Sequence, residues 1–197
     1  MRRGRILAGT LTAAIIATGA LGVTARIEPL LPQEGASVCY AGEFGGDQSL
    51  TFGWPHEHRT DQARVTGLTL RLERPSGQTP HRDTGSGYNF DWRYAFSLLM
   101  ETSDRGTFRA GGECDWSQGA LAHVEWELYC FIDCDGGGIA LSRLPGREAL
   151  DVTWEKGGWL RMSGCGDGGA ILRSGDGARS FPITRVVNRQ CSEKLSN

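Results

Sequence analysis

The chain has 197 residues, a formal net charge of −2, 39% hydrophobic and 22% charged residues, the proportions of one globular domain and not of a disordered or polytopic chain. That balance lacks the clustered Lys and Arg that phosphate neutralisation demands, so no nucleic-acid partner is expected. The 29 Gly, about twice the usual share of roughly 7%, and 7 Pro point to many tight turns between short strands.

Met1-Arg2-Arg3-Gly4-Arg5 is a short basic start, Ile6 to Val23 is a run of apolar and small residues, and Val23-Thr24-Ala25 is an A-x-A-like cleavage site. These are the three regions of a secretory signal peptide over residues 1–25, an uncleaved anchor being the alternative because the run nears bilayer-spanning length. Removing its three arginines from a net charge of −2 leaves −5, so the mature product is mildly acidic with no membrane span. Only Lys156 and Lys194 stand against a large excess of Arg, the codon bias of a GC-rich bacterium. The expected address is then the periplasm or the medium, where disulfides persist.

Residues 26–36, with Pro29, Pro32 and Gly35, have no period and read as an exposed leader. An antiparallel β domain is expected over residues 37–191, with 192–197 as a tail. Within Ala63 to Arg74, Leu68, Leu70 and Leu72 alternate with Thr69, Arg71 and Glu73, the two-residue period of a half-buried strand. The same period recurs in Tyr94-Phe96-Leu98-Met100, where Trp92 to Thr102 partly fits a helix as well. It returns in Val124-Trp126-Leu128-Cys130-Ile132, in Leu150-Val152-Trp154, in Leu160-Met162 and in Phe181-Ile183. Asp104-Arg105-Gly106, Gly136-Gly137-Gly138, Pro145-Gly146 and Lys156-Gly157-Gly158 punctuate the series as turns. No amphipathic helix of ten residues follows the signal. About eight to ten antiparallel strands, each with one apolar face, must close as a single barrel or pair as a sandwich.

The six Cys, at 39, 114, 130, 134, 165 and 191, imply three disulfides in an oxidising compartment, and 15 connectivities are open. Cys134-Asp135-Gly136-Gly137-Gly138-Ile139 and Cys165-Gly166-Asp167-Gly168-Gly169-Ala170 look like two copies of one turn, each leading into an aliphatic strand. Two like turns at one barrel end favour Cys134–Cys165, leaving Cys114–Cys130 on neighbouring strands and Cys39–Cys191 tying the ends of the domain. A Cys-based zinc site has no CxxC pair to build on.

Candidate chemistry is thin. Asp133-Cys134-Asp135-Gly136-Gly137-Gly138 has the outline of a calcium loop, but an EF-type loop needs an oxygen ligand where Gly137 stands and a bidentate acid where Leu144 stands. A weaker site from Asp133, Asp135 and Asp167 is the residual metal candidate. Another is His56 and His58 with His81 or His123, although Pro55 and the polar run after His58 make that segment a loop. Glu125 and Glu127 share the polar face of one strand, where two acids two residues apart could reach the spacing of a glycoside hydrolase. Strand alternation alone accounts for them equally well. No nucleophile elbow, Ser-x-x-Lys or phosphate loop appears, and no cofactor is expected. Of six Trp, Trp126 and Trp154 fall on apolar strand faces, whereas Trp54, Trp92, Trp116 and Trp159 lie near turns, where an indole stacks on a ligand or anchors a partner.

Gly112-Glu113-Cys114 through Leu128-Tyr129-Cys130, then Asp133-Cys134-Asp135-Gly136-Gly137-Gly138 and the closing Phe181-Pro182-Ile183-Thr184, resemble a group of small exported bacterial proteins of unknown function over the C-terminal half. The resemblance implies a shared fold and an exported address, and carries no activity. The expectation is therefore a secreted or periplasmic non-catalytic binding module, a ligand carrier, inhibitor or envelope adaptor, whose partner is a protein or small ligand of the cell envelope. The alternative is an envelope-glycan hydrolase using Glu125 and Glu127.

Overall fold

Apolar residues at every second position give a strand one dry face, and dry faces must close on one another. In the computed structural model, which describes residues 27–45, 49–53, 61–77, 81–82, 91–115, 128–134, 136–154, 158–164, 170–173 and 179–196, they close as a barrel. The strands in chain order are β1 (Ala36–Glu43), β2 (Ser49–Gly53), β3 (Asp61–Arg74), β4 (His81–Arg82), β5 (Asp91–Trp92), β6 (Tyr94–Thr102) and β7 (Gly106–Asp115). They continue as β8 (Leu128–Ile132), β9 (Gly138–Arg143), β10 (Ala149–Trp154), β11 (Trp159–Met162), β12 (Ala170–Arg173) and β13 (Arg179–Val186), followed by helix α1 (Asn188–Ser196).

Eight strands form the barrel in the order β1-β13-β10-β9-β8-β7-β6-β3, and β3 returns to pair with β1 from Ala36↔Arg74 to Glu43↔Gly67. Every pairing is antiparallel. The sequence left barrel and sandwich open, and the β1–β3 ladder is the feature that decides for closure. Strand β3 is longer than the wall needs. Its first residues pair with β2 (Ser49↔Arg64), which carries β12 and then β11 as a three-stranded apron. The ladder to β6 shifts register between Val65 and Gly67, a bulge where β3 passes from apron to barrel. The free edge of the apron comes back to the wall: the Arg161 N–H donates to the Gly136 carbonyl at 2.8 Å and the Ser163 N–H to the Arg109 carbonyl at 2.5 Å.

The inward positions are those the alternation marks. Leu68, Leu70 and Leu72 of β3, Phe96, Leu98 and Met100 of β6, Leu150, Val152 and Trp154 of β10, and Phe181 and Ile183 of β13 belong to one buried cluster. It runs on under the apron through Leu50, Leu160, Met162 and Leu172. Each such side chain contributes roughly 1.5–3 kcal/mol on burial, more than the net worth of about 1 kcal/mol of a ladder hydrogen bond. The outward face is polar: Arg71, Glu73, Ser97, Glu113 and Asp151 stand there, with Arg71 Nη2 2.6 Å from Glu73 Oε1. Apolar inside and polar outside is the reverse of a barrel whose outer band meets lipid.

Two segments differ from expectation. Residues 27–31 are not an exposed leader. Ile27, Leu30 and Leu31 are buried, a 3-10 turn runs over Glu28–Leu30, and the Tyr40 hydroxyl donates to the Leu30 carbonyl at 2.5 Å. The segment's prolines and glycine suggested a linker, but three apolar residues cover a core that a barrel leaves open at its end. Burial there pushes the Tyr40 hydroxyl up to about 12, with Glu148 adding to the shift and Arg185 and Arg143 opposing it.

At the other terminus, α1 takes up most of residues 192–197, which the sequence alone presents as a tail. It lies outside the barrel across β1, β3 and β6, covering the outward-facing Cys39, Thr69 and Leu99, all buried. Its own single buried residue is Cys191, which is bonded to Cys39. The Arg109 guanidinium donates to the Leu195 and Lys194 carbonyls, holding the end of the helix where unpaired carbonyls concentrate negative charge. Inside the wall, Cys114 and Cys130 are register partners on β7 and β8 and form the second disulfide.

Candidate functional site

The sequence Gly136-Gly137-Gly138 makes the turn from β8 to β9, and two of these glycines shape a slot beside it. Gly137 has φ +80°, a conformation side chains disfavour, and a Cβ on it would collide with the Trp159 carbonyl oxygen. A Cβ on Gly138 would collide with the Tyr129 phenol. Without side chains there, the apron edge at Trp159 and the Tyr129 ring both close on the turn. Tyr129 is fixed from behind by Phe131, edge to face with centroids 4.5 Å apart.

The slot has a volume of about 170 Å³ and is lined by Tyr129, Gly137, Gly138, Thr153, Trp154 and Trp159 among others. Trp154 ends β10 and belongs to the core, stacked on Phe181 at 5.0 Å and 19°, with Phe44 meeting Phe181 edge-on at 5.3 Å. Its indole is 2% exposed, and its Nε1–H has no hydrogen-bond partner among the described residues. A buried donor left unpaired costs free energy, and this one belongs to a residue that lines the slot. Trp159 is 40% exposed, the exposed large aromatic among the described residues. The Tyr129 and Trp159 rings and the Thr153 side chain line a space that suits a small, flat, partly polar molecule. Among the described lining residues there is no carboxylate or imidazole to transfer a proton.

Of the Trp residues singled out from sequence, Trp159 is in this slot. Trp92 lies in β5, its backbone opposite His81 of β4. Trp54, Trp116, His56, His58, His123, Glu125, Glu127, Asp135, Asp167 and Cys165 lie outside the described residues. Asp133 is exposed in the β8–β9 turn, its N–H bonded to the Gly111 carbonyl at 3.0 Å, and it borders a separate cavity of about 530 Å³ with Arg109 and Arg161. No group of three or more His, Cys, Asp or Glu is placed to hold a metal among the described residues. Cys134, in the same turn, is also disulfide-bonded, with positive φ.

Sequence reasoning missed Tyr129, which sits on the wet face of β8 and so looked like solvent-facing surface. It placed Trp154 in the core alone. The signal that could have found both is the Gly137-Gly138 pair: adjacent glycines beyond what a turn needs mark a close approach by something large.

Among the described residues no helix is long and apolar enough to cross a membrane. Cystines of this kind persist in oxidising compartments. The chain matches no protein-family model, no curated protein and no solved structure.

Proposed function

We propose that this protein is an exported, non-catalytic binding module. In this reading the signal over residues 1–25 is removed and the barrel works in the periplasm or outside the cell, holding a small ligand of the envelope in the slot of Tyr129, Trp154 and Trp159. The observation that carries it is an exposed indole, Trp159, beside a buried one whose N–H has no partner. That combination offers a stacking surface and a directional donor, the few convergent groups that set orientation in a small-molecule site. The likeness to small exported bacterial proteins supports the same address.

The test is a ligand-observed NMR screen of the mature protein against envelope sugars and small aromatic acids, repeated on Trp159→Ala. Binders of the wild-type protein are expected to lose about tenfold or more in affinity in the variant, since removing an aromatic anchor costs of order 1–2 kcal/mol or more. Binders indifferent to Trp159→Ala would move the site elsewhere. Cleavage of a glycan that disappears in Glu125→Gln would replace the reading with the hydrolase.

A further inference from the structure

The outer wall beneath α1 holds a further cavity, about 470 Å³, within the usual range of small-molecule sites. Its floor is Ala41 and Thr69 on adjacent strands, its sides are Val186 and Cys191, and Glu43 and Lys194 stand at its mouth. Thr69 faces outward, opposite Ala41 on one side and Leu99 on the other, and is 1% exposed. Its hydroxyl has no hydrogen-bond partner among the described residues. A buried strand Thr normally finds one, so an unpaired polar oxygen belongs to a residue that lines a ligand-sized space.

The charges around the mouth are not equally satisfied. The Lys194 ammonium lies 2.9 Å from Glu101 Oε2, and Arg189 Nε lies 3.0 Å from Glu193 Oε1. Glu43 makes no ion pair among the described residues. Glu43, Gly67 and Glu101 share one row of the wall. No side chain stands at Gly67, where a Cβ would collide with the Glu101 carboxylate. Glu101 therefore leans into that gap with the Lys194 ammonium on it, and Glu43 borders the gap from the other side. Glu43 is also two positions along β1 from Ala41, the partner of Thr69. Diagonal neighbours on one face of a ladder are about 7–8 Å apart at their backbones, within the span that one donor group bridges.

We propose that this groove binds a primary ammonium carried on a short aliphatic stem. The ammonium sits between the Glu43 carboxylate and Thr69 Oγ1, donating to both, and the stem lies against Ala41, Val186 and the Cys39–Cys191 cystine. The neighbouring Lys194–Glu101 pair is the same contact made by the protein itself. An anion is repelled by Glu43, since the nearby Lys194 is already engaged, and a neutral alcohol can donate one hydrogen bond to the carboxylate but brings no charge and no second N–H for Thr69.

The test uses the oxidised mature protein, isotopically labelled, with amide shifts in β1, β3 and α1 followed as pentylamine, Nα-acetyl-lysine amide or 1-pentanol is added. Both amines are expected to saturate, with 1-pentanol about tenfold or more weaker, as loss of a charged hydrogen bond implies. Tighter binding of the acetyl-lysine amide assigns the groove to a peptide's lysine side chain, and tighter binding of pentylamine to a free amine. Glu43→Gln and Thr69→Val should each weaken the amine about tenfold. Thr69→Val replaces a hydroxyl by a methyl of similar size and keeps the fold. No saturation by either amine, an equal response to 1-pentanol, or unchanged affinity in either variant overturns the proposal.

Discussion

The Cys114–Cys130 and Cys39–Cys191 bridges lie on opposite faces of the same wall. The first joins register partners on β7 and β8, inside the barrel and within the buried cluster, across 16 positions of chain. The second lies outside, joining β1 to α1 across 152 positions. The inner bridge strengthens a contact that the β ladder and the core already specify. The outer one holds an element that packing barely holds, because α1 is nine residues long with only Cys191 buried, and a helix of that length is marginal alone. A polar helix on a barrel wall is thus a matter of covalent attachment and a few directed contacts, whereas the strands beneath it are a matter of burial.

The largest test of that contrast is removal of the outer bridge. Cys39→Ala with Cys191→Ala is expected to cost about 5 kcal/mol by chain entropy, given so long a loop, with α1 lost from the helical circular dichroism signal while the sheet signal remains. Denaturant melts of both signals check it, and loss of helix and sheet together would show that α1 is integral to the barrel. Cys114→Ala with Cys130→Ala should cost less, about 3 kcal/mol for its short loop, and should leave the helix untouched. A larger loss than from the outer pair would invert the comparison.

Tyr40 follows Cys39 in the chain and faces the opposite way, so it reports on the inside of the wall. Burial raises its pKa from the ordinary 10.0 to about 12, so the folded state resists ionisation. Stability from this group is complete below about pH 10 and is lost as the pH rises from there through about 12, by roughly 2–3 kcal/mol. Alkaline unfolding followed by phenolate absorbance measures it, and Tyr40→Phe should remove that dependence, apart from a contribution of the same sign from Tyr94, also raised chiefly by burial. Tyr40→Phe itself is expected to cost about 1–3 kcal/mol at neutral pH by leaving the Leu30 carbonyl unpaired. The smallest effect returns to the outer face: Thr69→Val should raise stability by about 1 kcal/mol, because an unpaired buried hydroxyl gives way to a methyl.

Where one face of a strand is dry and the other wet, the sequence was readable. Strands β3, β6 and β10 alternate cleanly and were found on that ground. Strand β1 was not, because Cys39 is buried under α1 while its neighbours Val38 and Tyr40 are buried inside, so three successive residues are dry and the period vanishes. Strand β7 was hidden by Gly106, Gly111 and Gly112 and by few inward apolar residues. Helix α1 carries no apolar stripe, since a disulfide does the work of one. In the slot, Trp159 stood out as an indole beside a turn. Tyr129 did not, because its role depends on the space above Gly138, which only the folded chain reveals.

The barrel seam has a consequence for the order of assembly. Strand β1 can find β3 as soon as residue 74 has been made, but its other edge stays bare until β13, whose Val186 pairs with Cys39, has emerged. Until β13 is in place the sheet is an open ribbon with unpaired edges, the state in which chains aggregate. Closing the ring is therefore a late event that joins the beginning of the domain to its end, and such long-range closures are slow. The Cys39–Cys191 bond forms across that same seam, so its appearance in time would mark the moment the ring shuts.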